Sequence, residues 1–440
     1  MKYIYVLLLI IISVGCAEKP VLKPAVITID KKEYISDLIE IPQNVSIYSR
    51  GIHRDKLSNQ SKFEKEYFRV WNLDKFDIEL KHAMWAHSAF RYGNSYGENL
   101  KPHSKDFFDH MLENANFSLY GTVNQRAISL ELLNIRAFPT DKPLLRDPNK
   151  AGEGFPFDYL QNSTVAANKP LFISHYSKNK KWVFVESSFA FGWVKSNEIV
   201  TMKKKYTDIW QNAEQIFITK EGQGIYSKDN KFLFNSRVGM MLALISEDND
   251  SYTVLSISKY KNNKPLYLQS KISKEISHKG IMNFNDKNIN KIINELLQSN
   301  YGWGGMYGQR DCSSTLRDFY TAFGIWLPRN SYKQSKVGDF LSLKNLSNKE
   351  KIKLIKKNAV PFETLLYKKG HIVLYVGIYN KKIIILQNVW GVKTKENDRE
   401  GRFIIGKVVF SSLEIGKNLK FYDNNASLLK NLKSLNIVTK

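Results

Sequence analysis

One short stretch decides most of what this chain can be. Tyr301 to Arg329 reads YGWGGMYGQRDCSSTLRDFYTAFGIWLPR and holds Cys312, one of two cysteines in 440 residues. Beyond it, Leu316, Phe319, Tyr320 and Phe323 recur at i, i+3, i+4 and i+7, the spacing of an amphipathic helix. Asp311 is a good N-cap type, so Cys312 is predicted in the first helical turn. There the helix dipole and unpaired backbone N–H groups favour a thiolate. Polar neighbours Asp311, Ser313 and Ser314 argue against a cysteine that merely fills a core. A nucleophile needs a base, and the strongest candidate among eight histidines is His371. It opens GHIVLYVG (Gly370 to Gly377), a glycine-bounded, β-branched run that reads as a buried strand.

A cysteine starting a helix and a histidine starting a strand resembles the arrangement of papain-like thiol hydrolases. YGWGG, DCSS and GHIVLYVG, in that order, resemble the NlpC/P60 family of cell-wall cysteine peptidases, whose usual forms are Y-x-W-G-G, D-C-S-G and a G-H opening a strand. YGENLKPHS (Tyr96 to Ser104) resembles the multidomain branch of that family. The resemblance implies a multidomain α+β chain: a helical N-terminal stabilising region, two small SH3b-like β-barrels, and a C-terminal papain-like α+β domain.

The segments follow from texture. Lys2 and the apolar run to Gly15 read as a secretory signal, too short to span a membrane as a helix. Ser13 to Cys16 resembles a lipoprotein cleavage box, making Cys16 the expected lipidation site. The expected localisation is therefore exported and membrane-anchored, facing the periplasm or cell wall. Residues 16–45 read as a tether, 46–120 as the helical region rich in aromatics (Phe63, Tyr67, Phe68, Trp71), 121–205 and 206–280 as the two β modules, and 281–440 as the catalytic domain. An amphipathic helix is expected from Asn288 to Leu297.

The formal charge of +24 comes from 66 Lys+Arg against 42 Asp+Glu. No nucleic-acid motif accompanies it, and an exported chain rarely meets nucleic acid, so anionic envelope components are the expected counter-charges. With no HExxH, CxxC or phosphate-cradling loop, no metal or cofactor is expected. A monomer is expected.

The site roles come from the resemblance. Cys312 would attack the amide between γ-D-glutamate and the following diamino acid (diaminopimelate) of peptidoglycan stem peptides or muropeptides. His371 would be the base, and an orienting polar residue would lie on the next strand. Where relatives commonly place His, this chain has Gln387, with Asn388 beside it. Alternation points the two to opposite faces, and Gln387 is favoured. Tyr301 would donate toward the reacting carbonyl, with Trp303 in the same motif. Asp311 would contact the amino end of the peptide and Ser313 its γ-D-glutamyl carboxylate. Arg317 and Arg329 read as charged surface residues. The competing class is a catalytically weak peptidoglycan-binding scaffold that uses its SH3b modules.

Overall fold

The C-terminal third is organised by an antiparallel six-stranded sheet. Its order is Asp339–Ser342, Ser434–Ile437, Thr364–Lys368, His371–Tyr379, Lys382–Glu396 and Arg399–Ser412. Strand alternation splits the side chains of its central strand. Ile372, Leu374 and Val376 join one core, while Val373 and Tyr375 join another on the opposite face. The first face is covered by two helices. Asp286–Leu297 buries Ile289, Ile292, Ile293 and Leu296, and starts at Asn285, whose side chain accepts from Asn288 N–H. Each such burial contributes about 1.5–3 kcal/mol. The second helix, Cys312–Thr321, is buried along its whole length.

The computed structural model describes residues 33–440. The expected signal segment, Cys16 and the start of the tether lie outside the described residues. The tether reading fails from Ile35 onward, because that segment is packed. Ile35 sits among Val392, Val409, Ile415 and Leu419, and Ile41 and Val45 enter the core beneath these two helices. Asp37 is buried and accepts from the Ser412 N–H and hydroxyl, both at 2.7 Å. The Gln43 amide donates to Phe410 C=O at 2.8 Å and accepts from Phe410 N–H at 2.9 Å, much as a paired strand would. The segment shows no period in sequence because it forms only the single helical turns Asp37–Glu40 and Ser46–Ser49 and otherwise follows the edge of the sheet.

Two β modules precede the domain built on the six-stranded sheet. The first has seven strands between Gln125 and Thr201, and the second has a five-stranded sheet and a hairpin between Gln215 and Lys279. Each has its own apolar centre. A further core ties them to the N-terminal helical region: Phe63, Tyr67, Phe68 and Trp71 pack with Phe172, Trp193, Trp210 and Phe217. The helices there are short, the longest being Lys105–Asn114, so this region is held by its aromatics rather than by helix propensity.

Candidate active site

Cys312 is the first residue of its helix. The Asp311 carboxylate accepts from Ser314 N–H, and Ser314 Oγ accepts from Asp311 N–H, both at 2.9 Å, forming a reciprocal cap. At N1, the Cys312 N–H has no acceptor within the helix. The sulfur lies against the start of the strand His371–Tyr379, where the Ile372 N–H reaches it. The thiol is 9% exposed, and burial pushes it up to about 12, with the Asp311 carboxylate adding to the rise. The Ile372 and Ser313 N–H groups and Arg329 offset this only in part. The helix-terminus effect is therefore outweighed, and the expected resting thiolate gives way to a protonated thiol.

His371 Nε2 lies 2.8 Å from Gln387 Oε1. A chain of donors fixes which atom is which. Ser411 Oγ donates to Ser412 C=O at 3.0 Å, so it accepts from Gln387 Nε2 at 2.7 Å. That leaves Gln387 Oε1 to accept from a protonated His371 Nε2, and leaves Nδ1 as the basic nitrogen. Burial pushes His371 down to about 4, with the Gln387 bond opposing it, so the imidazole is neutral at pH 7. Asn388 turns the other way. Its Nδ2 donates to Arg310 C=O at 2.8 Å and to Thr315 Oγ1 at 3.0 Å, tying the helix that starts at Cys312 to the strand. Ser411 was not foreseen; the only trace of it in the sequence is a serine ending the apolar run Val408–Phe410.

Tyr301 is mostly buried close to Cys312 and Asp311. Burial, then those two groups, hold its hydroxyl far above its usual range, so it stays a proton donor. Its ring meets Trp390 at 5.9 Å. Trp303 packs edge-on to Phe157 at 5.2 Å and against Tyr159 at 5.4 Å, both from the first β module. The glycines after it permit that approach. A Cβ on Gly304 would lie 2.5 Å from Gln161 C=O, and one on Gly305 would lie 2.4 Å from Thr164 Oγ1, with both glycines at positive φ. Residues 157–164 thus pack against the turn that follows Tyr301, and a cavity of about 580 Å³ flanks the same turn at Met306 and Tyr307.

Arg317 and Arg329 are not surface residues. Arg329 donates to Asp311 Oδ2 at 2.6 Å, Asp311 Oδ1 at 3.1 Å, Ser313 Oγ at 2.9 Å and, across the module boundary, Ser163 Oγ at 2.7 Å. Burial raises the Asp311 carboxyl, but Arg329 and the Ser314 bonds overcome it and hold the group below its usual range. Asp311 and Ser313, expected at the substrate, are both committed to this network, and an incoming ammonium would have to compete with Arg329 for the Asp311 charge. Leu327-Pro328 before Arg329 gave no hint that the chain turns it inward. Among the described residues, no cluster of three or more His, Cys, Asp or Glu side chains could hold a metal ion.

Comparison with known proteins matches four segments. Residues 5–120 match the NLPC_P60 stabilising domain, 143–195 an SH3 domain of SH3b1 type, 204–249 an SH3 domain of SH3b2 type, and 298–405 the NlpC/P60 family. Among solved structures, an NlpC/P60 endopeptidase from Photobacterium damselae subsp. piscicida is similar, with a TM-score of 0.78 and 25% identity over 91% of this chain and 98% of that one. An NlpC/P60 family protein from Bacillus cereus ATCC 10987 aligns with a TM-score of 0.46 and 16% identity, over 72% of this chain and 100% of that one. No curated protein matches.

Proposed function

We infer that this chain, which belongs to the NlpC/P60 family in its multidomain form, is a cysteine endopeptidase that hydrolyses the γ-D-glutamyl–diamino acid bond of peptidoglycan stem peptides. The observation that carries this reading is the His371–Gln387 bond, which leaves Nδ1 as the base at the strand end where the Cys312 sulfur lies. In this reading His371 takes the thiol proton as Cys312 attacks, since neither group is charged at rest. The tetrahedral oxyanion is met by the orphan Cys312 N–H and the Tyr301 hydroxyl. His371 returns the proton to the leaving amine, and water then hydrolyses the acyl-enzyme. Gln387 cannot neutralise the imidazolium as a carboxylate would, but it holds the tautomer. Trp303 and residues 157–164 shape the cleft. Export, lipidation at Cys16, membrane anchoring and a monomeric state belong to the same proposal. No cofactor enters it.

The deciding experiment is mass spectrometry of products from L-Ala-γ-D-Glu-diaminopimelate, free and attached to N-acetylmuramic acid, with wild type and Cys312→Ala. Wild-type-only release of the L-Ala-γ-D-Glu portion is expected. Retained binding to sacculi without cleavage of either substrate would favour a scaffold.

A further inference from the structure

Behind the nucleophile helix, four parts of the chain meet around a cavity of about 30 Å³. Tyr67 comes from the helical region, Lys169 from the first β module, Arg237 from the second, and Arg317 and Asp318 from the catalytic helix. Lys169 is 4% exposed and Arg317 7% exposed. No hydrogen bond is made by either side chain, and Arg317 Nε is fully buried without a partner. The Lys169 ammonium lies 3.2 Å from the Tyr67 ring centre, and the Arg317 guanidinium 3.7 Å from that of Phe189. Aromatic faces soften a buried cation but do not neutralise it.

The charges do not close. Asp318 and Glu221 pair with Arg310, while Asp318 also lies 3.6 Å from Arg237 and 3.7 Å from Arg317. Arg329 is answered by Asp311. Four cations (Lys169, Arg237, Arg310, Arg317) thus face two carboxylates, an excess of two positive charges in a buried place. Buried charges need partners.

We propose that this junction is a binding site for a single small monoanion of halide size, held between the Lys169 ammonium and the Arg317 guanidinium. The size follows from the volume: about 10–15 Å³ accommodates the centre of one water, so the cavity suits one such ion with little else, and a peptide carboxylate carrying its chain does not fit. Burial and the nearness of Arg317 press Lys169 toward losing its proton, so an anion here would keep the ammonium charged beside the guanidinium. The ion would join the parts that wall the cleft to the helix carrying Cys312. It is independent of the peptidase reading.

The test uses the purified full chain and bromide. Thermal unfolding is followed in sodium bromide against sodium gluconate at constant ionic strength, and bromide-soaked crystals are mapped by anomalous scattering. A saturable bromide-dependent rise in Tm, lost in Arg317→Met and in Lys169→Met, with an anomalous peak between the two side chains, is the expected result. Identical Tm in both salts, or no peak at the junction, overturns the proposal. If either variant fails to fold, the wild-type anomalous map decides alone.

Discussion

Replacing Gln387 with Met tests the centre of the proposed chemistry while changing little else. The side chain is 2% exposed and its two polar atoms each make one bond, to His371 and Ser411. Met fills nearly the same volume, so the cavity term is small. What is lost is the acceptor for His371 Nε2–H, leaving a buried donor unsatisfied at a cost of about 1–3 kcal/mol in stability. The rate effect follows from the tautomer. An acceptor that favours the Nε2–H form by about 1.4 kcal/mol sets a tenfold preference for a basic Nδ1, and loosening the ring adds to it. A drop in kcat/KM of about 10–100-fold is expected, equivalent to about 1.4–2.8 kcal/mol of transition-state stabilisation. The companion Gln387→Glu should raise His371 from about 4, because a carboxylate favours the imidazolium. Since activity in this reading needs a neutral His371, the acid limb of the pH–rate profile should move to higher pH. The assay is stem-peptide cleavage across the pH range, with circular dichroism to confirm folding. A folded Gln387→Met enzyme within twofold of wild type, or an acid limb unmoved in Gln387→Glu, would refute the reasoning.

Three further outcomes follow from other parts of the structure. Iodoacetamide labelling of Cys312 in the resting protein should rise only above the roughly 8.5 of a free thiol, because burial outweighs the helix terminus; a midpoint below that value contradicts it. Gly304→Ala places a Cβ 2.5 Å from Gln161 C=O at φ +58°, whereas Gly370→Ala, at φ +80°, meets nothing within 4 Å. Denaturant unfolding should show the Gly304 change costing more than the roughly 1–3 kcal/mol of backbone strain both share, and equal costs would dismiss the close contact. His175 is fully buried, with Nε2 3.0 Å from Ala115 C=O, and burial pushes it down to about 4. Between pH 6.5 and 4 the unfolded chain binds the extra proton, so stability should fall with falling pH across that window by about 3 kcal/mol. The difference between wild type and His175→Gln isolates this term, and a difference that does not change with pH would remove it.

Much of the site was legible because its elements are local. The i, i+3, i+4, i+7 pattern after Cys312, the Asp311 cap and the β-branched run after His371 each specify their own geometry, and alternation alone separates Gln387 from Asn388. Hidden features depend on segments far apart in sequence. Ser411 matters only because its strand pairs beside Gln387, and Ser163 only because a β module leans on the catalytic domain. Arg317 and Arg329 read as surface charges because nothing local marks a charge whose partners arrive from other domains. The thiolate expectation failed for a related reason: a helix terminus can be seen in sequence, but the depth to which the rest of the chain buries it cannot.

The packed segment beginning at Ile35 has a consequence for the order in which the molecule can be completed. Asp37 and Gln43 emerge early in synthesis, yet their partners, Ser412 and Phe410, are made more than 360 residues later. Those partners flank Ser411, which steadies Gln387 and through it His371. The first described part of the chain must therefore wait for a strand near the end, and a product truncated before Phe410 lacks both the edge it closes and the final support of the imidazole. The arrangement around Cys312 thus depends on a strand that closes only after its first-made partner has waited for it.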